Sequence, residues 1–319
     1  MIWAIVTKDE MQDCQTSPVF RFYREALGKE NIRLAIVDEN DQLDFVACDD
    51  VVILRTGSKN LTSTIERNGI KSTAEKYDAY VLVKDKALLS ECLKHLSLKV
   101  PGHHSLSDVE DGKTYFVKPR YGSDSIGITT YCICRSKKDV YEQTIRLRDE
   151  LLQDAVIEDF IDGVDVTVSC CIIPTRNNDG NSVAVPEIFT ASVMVECEET
   201  EGIQTRECKV GFKEYCSPLV GKSKEKAENM AKRICMYLGI KHHARMDFRL
   251  GYDEELYLID INLLPGLGPI DHFAKSFLLC HNLSYVDTIK MLVNSADAVS
   301  SEKLGRNSVQ NVNHKKQPL

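Results

Sequence analysis

The first third of the chain alternates short apolar runs with segments of helical character, and this order limits the folds that it can adopt. Apolar runs occupy residues 3–6, 34–37 and 51–54 and predict three β-strands. Between the first two, Ser17 and Pro18 precede the segment VFRFYREAL. Serine caps helices and proline suits the first helical position, so this segment predicts a helix. A β-α-β order favours a small parallel sheet with crossover helices, and we expect an α/β lobe over residues 1–84.

The remainder of the chain mixes strand pairs with helices and favours two further lobes. Residues 84–98 carry apolar side chains at helical spacing and predict one helix. Residues 115–118 and 128–131 flank a glycine-containing turn and predict a hairpin. Further strands are expected at 156–158, 164–173, 245–250 and 256–262 and from residue 183 onward, and helices at 140–152 and 222–238. The expected fold class is α/β with α+β lobes: a central lobe at 85–162, a C-terminal lobe at 163–298 and a disordered tail at 299–319.

The charge and apolar content of the chain argue against two classes of protein. Its 319 residues include 40 Lys and Arg against 48 Asp and Glu, a net charge of -8, which disfavours a protein built to hold nucleic acid. No apolar stretch reaches the roughly 18 residues of a membrane span, and the first apolar run is too short for a signal-peptide core. The twelve cysteines are scattered without a C-x-x-C pair. We therefore expect a cytoplasmic protein with reduced cysteines and no membrane partner.

The common nucleotide and hydrolase motifs are missing from the sequence. Gly221-Lys222-Ser223 nearly fits the Walker pattern, but the position that must be glycine is Cys216. No G-x-G-x-x-G follows a strand, and neither H-E-x-x-H nor G-x-S-x-G occurs. A P-loop enzyme, a dinucleotide-binding domain, a zinc protease and an α/β-hydrolase are all disfavoured.

A lysine at a strand end next to a Gly/Ser turn is the first candidate for ligand binding. Lys118 closes an apolar run and is followed by a turn that contains Gly122 and Ser123. An ammonium group can neutralise phosphate oxygens while the turn's N–H groups cradle them. The alternative is an ordinary hairpin with a solvated lysine.

An apolar strand that ends in acids is the second candidate. The segment VIEDFIDGVD places Glu158 and Asp159 at its end and Asp165 beyond a turn at Gly163. Backbone groups at such an edge can read an adenine, and a carboxylate just beyond can accept ribose hydroxyls. The alternative is a strand-turn-strand unit whose acids face water.

Two later strands carry polar side chains on one face. Arg245 and Asp247 are two residues apart, as are Asp260 and Asn262, so each pair shares a face of its strand. Oxygen ligands of this kind suit Mg²⁺, which binds few protein oxygens and completes its shell with substrate phosphates. The alternative is a set of salt bridges.

The segments VKPRYGSDSIG, IEDFIDGVDVTV, ARMDF and LIDINLLPGLGP, in this order, resemble the ATP-grasp superfamily, and most closely its D-alanine–D-alanine ligase branch, over about residues 84–295. The resemblance implies an ATP-grasp fold in which ATP lies between two of three lobes. It implies ATP, two Mg²⁺ ions (with Mn²⁺ as a substitute), small carboxylate and amine substrates, and a possible homodimer.

The same resemblance assigns a role to individual residues of this chain. Lys86 and Lys118 would contact the α- and β-phosphates, and Gly122 and Ser123 would cover the phosphates. The adenine edge would be formed by Glu158, Asp159, Phe160 and Ile161, and the ribose would be held by Asp165. Metal would be held by Asp247, Asp260 and Asn262. Arg245 and the Gly266 backbone would stabilise the reacting acyl group, and Lys213 or Lys209 would approach the γ-phosphate.

The implied reaction is ATP-dependent carboxylate–amine ligation through an acyl-phosphate. Two features depart from the D-alanine ligases: residues 1–25 contain no Ser-Glu-Arg-Glu-like motif, and Asp271 stands where a serine holds the acceptor. We therefore expect Asp271 and His272 to face an acceptor with a cationic or uncharged end. Alternatives are intramolecular cyclisation, transfer to a carrier protein, and an ATP-binding module without catalysis.

Overall fold

A computed structural model describes residues 1–8, 16–122, 125–173, 187–197, 200, 202–210 and 214–296. Three β-sheets follow one another along the chain, with helices packed against them. The structure confirms the mixed α/β class. The lobe boundaries at 84/85 and 162/163 stay predictions, and the tail at 299–319 lies outside the described residues.

The N-terminal sheet is parallel, as the β-α-β order predicted. Its spatial order is β2-β1-β3-β4, formed by β1 (Ile2–Thr7), β2 (Ile32–Val37), β3 (Val51–Leu54) and β4 (Lys71–Ser72). The connecting helices are α1 (Thr16–Leu27) and α2 (Lys59–Asn68). Ser58 caps α2 by accepting from Leu61 N, and Gly69 ends it in the left-handed conformation that favours glycine.

The helix predicted over residues 84–98 is confirmed, and a second helix precedes it that the sequence analysis did not predict. The preceding helix is α3 (Tyr77–Lys84), and the predicted one is α4 (Lys86–Leu93), which a 3₁₀ turn at Lys94–Leu96 continues. Asp85 separates the two helices with extended backbone (φ -92°, ψ 97°), and its carboxylate caps α4 by accepting from Leu88 N at 3.1 Å.

The middle sheet is antiparallel and corrects the predicted hairpin. Its order is β5-β8-β6-β7, formed by β5 (His103–His104), β6 (Tyr115–Pro119), β7 (Ile133–Cys134) and β8 (Ala155–Asp159), with α5 (Lys137–Leu151) against it. The partner of β6 is β7 rather than residues 128–131. Local turns use those backbone donors instead: Ile128 N donates to Ser125 O, and Cys132 N to Thr129 O, each at 3.0 Å.

The C-terminal sheet is a five-stranded antiparallel sheet with long central strands. Its order is β11-β10-β9-β12-β13, formed by β9 (Gly163–Ile173), β10 (Glu187–Cys197), β11 (Glu214–Pro218), β12 (His243–Gly251) and β13 (Leu256–Asn262). Around it lie α6 (Arg206–Val210), α7 (Gly221–Leu238), α8 (His272–His281) and a helix, α9, at residues 285–296. The strand pair predicted at 245–250 and 256–262 is confirmed.

Strand alternation gives the C-terminal sheet one apolar face and one polar face. Val166, Val168, Met246 and Phe248 point into a core shared with α7, and α3 and α4 pack against the same core. A second core joins the N-terminal sheet to α8 and α9. The second core therefore packs the N-terminal strands against the last helices of the described chain. No helix in the described ranges is long and apolar enough to cross a membrane.

Candidate active site

The polar face of the C-terminal sheet brings together side chains that are far apart in sequence. In the β9–β12 register, Asp165 lies opposite Arg249, Thr167 opposite Asp247 and Ser169 opposite Arg245. In the β12–β13 register, Asp260 lies opposite Asp247 and Asn262 opposite Arg245. The other face is apolar and packed, and the charged side chains of the polar face line the space between this sheet and the middle sheet.

That space is a cleft between the two antiparallel sheets, and it is open to solvent. Eleven of the residues that the sequence singled out line it: Lys86, Lys118, Gly122, Glu158, Asp159, Phe160, Ile161, Asp165, Arg245, Asp247 and Asp260. Lys209 lines it as well, whereas Asn262, Gly266, Asp271 and His272 are not part of its wall. Ser123 and Lys213 lie outside the described residues.

A buried ion pair forms the floor of the cleft on the middle sheet. Lys118 Nζ lies 2.8 Å from Glu158 Oε2 and donates to Ile259 O at 3.1 Å. His103 Nε2 lies 3.2 Å from the other oxygen of Glu158. Burial alone would raise the pKa of Glu158, but the Lys118 ammonium and the His103 hydrogen bond outweigh it and hold the pKa below its ordinary value. Glu158 is therefore a carboxylate at neutral pH, and it fixes Lys118.

A second lysine reaches the cleft from the start of α4. Lys86 Nζ donates to Gly122 O at 2.8 Å, and Lys86 N donates to Arg120 O at 3.1 Å. Burial lowers the pKa of Lys86, while the Asp260 carboxylate opposes the shift. Gly122 has a φ of 115°, which other residues rarely adopt, so its backbone can turn towards Lys86.

The Asp85–Arg120 pair, which the sequence analysis missed, holds this loop. Arg120 Nε and Nη2 donate to the two oxygens of Asp85 at 2.9 and 2.8 Å. This bidentate hydrogen bonding, more than any other cause, lowers the pKa of Asp85. The available signal is local: Asp85 precedes the helix that the sequence predicts from this point, and aspartate is a preferred helix cap.

A further buried pair lies on β9 and β12. Arg249 Nη1 lies 2.7 Å from Asp165 Oδ1 and bonds Gly202 O, and Arg249 Nε donates to Ile161 O at 3.0 Å. Burial raises the pKa of Asp165, and Arg249 opposes the shift. The guanidinium carbon lies 5.9 Å from the centre of the Phe160 ring. Sequence reasoning did not assign Arg249, although it shares a strand face with Arg245 and Asp247.

The carboxylates at the other end of the cleft differ in their hydrogen bonding. Asp247 accepts from Arg245 Nη2 at 2.8 Å and from Thr167 Oγ1 at 2.9 Å. Burial would raise the pKa of Asp247, but Arg245 holds it below the ordinary value. Asp260 has no side-chain hydrogen bond within the described ranges, and burial followed by the charge of Asp247 raises its pKa, against the charge of Lys86.

These oxygens fit a hard cation better than a transition metal. No group of three His, Cys, Asp or Glu side chains with metal-binding geometry occurs in the part of the chain that the structure describes. Asn262 Oδ1 accepts from Leu264 N at 2.8 Å, so that oxygen already has a partner. Two neighbouring carboxylates suit Mg²⁺ that takes its other ligands from phosphate and water, and that of Asp260 accepts no hydrogen bond from any residue that the structure describes.

The loop after β13 is held tightly by its surroundings. Gly268 N donates to Asp271 Oδ2 at 2.6 Å, and a methyl group on Gly266 would lie 2.6 Å from the same oxygen. Arg55 Nη2 donates to Pro265 O at 2.8 Å. The Asp271 carboxylate is therefore hydrogen-bonded within its own loop. His272 Nε2, in contrast, lies 2.9 Å from Glu214 Oε2 of β11.

Comparisons with known proteins agree with this geometry. The family model described as D-ala D-ala ligase C-terminus matches residues 103–294. The D-alanine–D-alanine ligase of Coprothermobacter proteolyticus is 29% identical over 157 residues, 49% of this chain and 47% of that protein. The D-alanine–D-alanine ligase of Francisella philomiragia is 26% identical over 212 residues, 65% of each chain. The alignments therefore span about half to two thirds of these relatives.

Solved structures extend the likeness to the whole fold. The D-alanine–D-alanine ligase from Bacillus anthracis complexed with ATP has a TM-score of 0.68 at 18% identity and covers 95% of this chain and 99% of that one. A D-Ala:D-Ser ligase from Enterococcus faecalis has a TM-score of 0.60 at 15% identity, over 82% and 74% of the two chains. At these identities the likeness supports the fold, which is the ATP-grasp fold that the motifs implied.

Proposed function

The chain belongs to the D-ala D-ala ligase C-terminus family, and from this membership and its cleft we propose that it is an ATP-dependent carboxylate–amine ligase. In the proposed reaction, a substrate carboxylate attacks the γ-phosphate to give an acyl-phosphate and ADP. An amine then displaces phosphate and forms the amide bond. The substrates are amino acids or similar small molecules.

The single observation that carries the proposal is the charge arrangement of the cleft. Lys118 faces it from the middle sheet and Lys86 from the start of α4, and Asp247 and Asp260 face it from the C-terminal sheet. The lysines can neutralise phosphate oxygens directly. The carboxylates can hold Mg²⁺, which neutralises phosphoryl charge when it is bound. A polyphosphate between the two sheets would thus meet a cationic group on each side.

The nucleoside half of ATP fits the wall next to these charges. The Phe116 and Phe160 ring centres are 6.4 Å apart, and Ile161 lines the cleft beside them. An adenine can pack against this wall while the backbone at Glu158–Ile161 provides its polar edge. Asp165 uses only one oxygen on Arg249 within the described ranges, so its second oxygen can accept ribose hydroxyls.

The chemical steps take place where the cleft meets the loop after β13. Arg245, fixed by two bonds to Asp247, would bind the developing charge of the tetrahedral intermediate together with the Gly266 N–H. Lys209 lines the cleft and is our candidate for the γ-phosphate, with Lys213 as the alternative. His272 with Glu214 remains the candidate for the acceptor side. A cytoplasmic location and a homodimer stay predictions.

The experiment measures ADP and phosphate release with Mg-ATP against pools of amino acids and small carboxylates, with mass spectrometry of each product. A mass equal to two substrates minus water supports ligation. One substrate minus water indicates cyclisation instead, and failure to bind ATP overturns the proposal. Asp260→Asn should lower release at limiting Mg²⁺, whereas Asp253→Asn, on the exposed turn between β12 and β13, should not.

A further inference from the structure

One buried arginine of β12, Arg249, connects separate segments that line the cleft. Its Nε donates to Ile161 O at 3.0 Å, and its Nη1 lies 2.7 Å from Asp165 Oδ1. Nη1 also bonds Gly202 O, a few residues beyond the end of β10. The Arg249 side chain is 4% exposed, so these bonds form away from water, where a hydrogen bond is stronger. Arg249 therefore joins the nucleoside wall, defined here as residues 160–165, to the segment that begins at Gly202.

Neutralising Asp165 accounts for only part of this arrangement. A carboxylate needs one cationic donor, which a lysine would supply equally well. Arg249 also directs Nε and Nη1 at backbone carbonyls of two different segments, which requires the planar fork of a guanidinium. A methyl group on Gly202 would lie 3.4 Å from Arg249 Nη2, so the arginine and this segment are in close contact. The contact therefore has a role beyond charge balance.

The segment from Gly202 to Lys209 is short and internally hydrogen-bonded. Thr205 N donates to Ile203 O at 3.1 Å and closes a tight turn. Thr205 then starts α6: its Oγ1 accepts from Cys208 N at 3.2 Å, and its carbonyl accepts from Lys209 N at 3.3 Å. Ile203, Thr205 and Cys208 are all buried. Because these bonds and this burial leave the segment little freedom, holding Gly202 in place also fixes where the Lys209 side chain begins.

Lys209 faces the cleft between the nucleoside wall and the metal-binding carboxylates. It lines the cleft together with Asp165 and Asp247. Burial raises the pKa of Asp165, and the charges of Arg249 and Lys209 oppose that shift. Burial would also raise the pKa of Asp247, but Arg245 and Lys209 hold it below its ordinary value. The Lys209 ammonium thus acts on both carboxylates, and a polyphosphate that runs from the ribose to the metal would pass it.

We propose that Arg249 is a positioning residue that holds Lys209 at the γ-phosphate of ATP. This inference rests on the proposed function and assigns the γ-phosphate contact to Lys209. Arg249 acts through Gly202 and the turn that leads to α6, and it does not itself contact the phosphates. The arginine that supports Ile161 and Asp165 at the nucleoside end therefore also orients the lysine at the phosphate end.

The test is a double-mutant cycle on nucleotide binding by the full chain, with Mg²⁺ and without substrates. The measured quantity is the Kd for ADP divided by the Kd for ATP, which reports the contribution of the γ-phosphate. Lys209→Ala should lower this ratio about tenfold or more, because a charge-assisted bond to phosphate is lost. Arg249→Lys keeps a cation beside Asp165 and should lower the ratio several-fold. In the double variant the loss should equal that of Lys209→Ala alone.

A second variant perturbs the same junction from the other side. Gly202 has a φ of 73°, which disfavours any side chain, and an added methyl group would lie 3.4 Å from Gly163 O as well as from Arg249 Nη2. Gly202→Ala should therefore lower the ratio too. Arg233→Lys, on the exposed side of α7, is the matched control and should leave the ratio unchanged.

Three results would refute the positioning role. They are an unchanged ratio in Lys209→Ala, additive losses in the double variant, and equal losses of ADP and ATP affinity in both Arg249→Lys and Gly202→Ala. The last of these is what a purely structural role predicts, because general loosening of the fold does not single out the γ-phosphate.

The ligation assay distinguishes failure of this inference from failure of the ligase proposal. If ATP binds and no substrate stimulates ADP release, yet the cycle shows that Arg249 acts through Lys209, the ligase proposal fails and the positioning role stands. If ligation occurs and Arg249→Lys keeps the wild-type ratio of ADP to ATP affinity, the positioning role fails alone.

Discussion

Replacing Glu158 by glutamine tests whether the cleft floor depends on a buried ion pair. The change removes the charge that faces Lys118 at 2.8 Å and leaves the ammonium with Ile259 O as its remaining partner in the described structure. The two side chains are 6% and 5% exposed, so water cannot replace the lost carboxylate. Removing one member of a buried pair costs about 3–5 kcal/mol, and because glutamine keeps an acceptor oxygen we expect about 3 kcal/mol.

The neighbouring residue of β8 provides a matched control. Asp159 also pairs with a histidine, His104, at 2.7 Å, but its side chain is 47% exposed. Exposed pairs contribute about 0–1 kcal/mol, so Asp159→Asn should change the free energy of unfolding by no more than that. Chemical denaturation at pH 7 measures both variants. A change below about 1 kcal/mol in Glu158→Gln would refute the reasoning.

Acidification provides an independent check on the same pair. The pKa of Glu158 lies below its ordinary value of 4.5 in the folded protein. A carboxyl group with a lowered pKa stabilises the fold above the unfolded-state pKa, and the contribution is lost as pH falls through the folded-state value. The stability gap between wild type and Glu158→Gln should therefore be complete at pH 7 and should narrow below about pH 4. The double variant Lys118→Met/Glu158→Leu should be more stable than Glu158→Gln.

Three other predictions follow from the site and its support. Asp260→Asn should raise the Mg²⁺ concentration for half-maximal ADP release about tenfold or more, since it removes the carboxylate without a hydrogen bond; an unchanged Mg²⁺ curve would contradict the metal assignment. Arg245→Lys should lower kcat about 10²- to 10³-fold with little change in the KM for ATP, measured by steady-state kinetics, because it removes a donor that acts in the transition state. Glu75 accepts from the His242 N–H at 2.8 Å, and burial raises its pKa to about 7. Glu75 stays largely protonated in the folded protein while it ionises in the unfolded chain, so the free energy of unfolding of wild type relative to Glu75→Gln should fall by about 3 kcal/mol from pH 4.5 to 7; parallel pH profiles of the two proteins would contradict this.

The sequence by itself determined the elements whose signals are local. The parallel β1–β3 core follows from apolar runs separated by a helix, and the end of α7 follows from Gly239, which adopts the left-handed C-cap. Period-two alternation also placed Arg245 with Asp247, and Asp260 with Asn262, on one face of their own strand, because side-chain direction in a strand is a property of the backbone. Those carboxylates face each other in the observed register.

Only the tertiary structure decided which partner each buried charge takes. Asp165 pairs with Arg249 across the sheet, Asp85 with Arg120 across a loop, and Asp271 with the backbone of its own turn. Register and loop closure bring these groups within 3 Å, and the spacing of residues along the chain encodes neither. The charge on a buried side chain is stabilised by the groups that are close to it in space. The pKa values and ion pairs of this site are therefore determined by the tertiary structure.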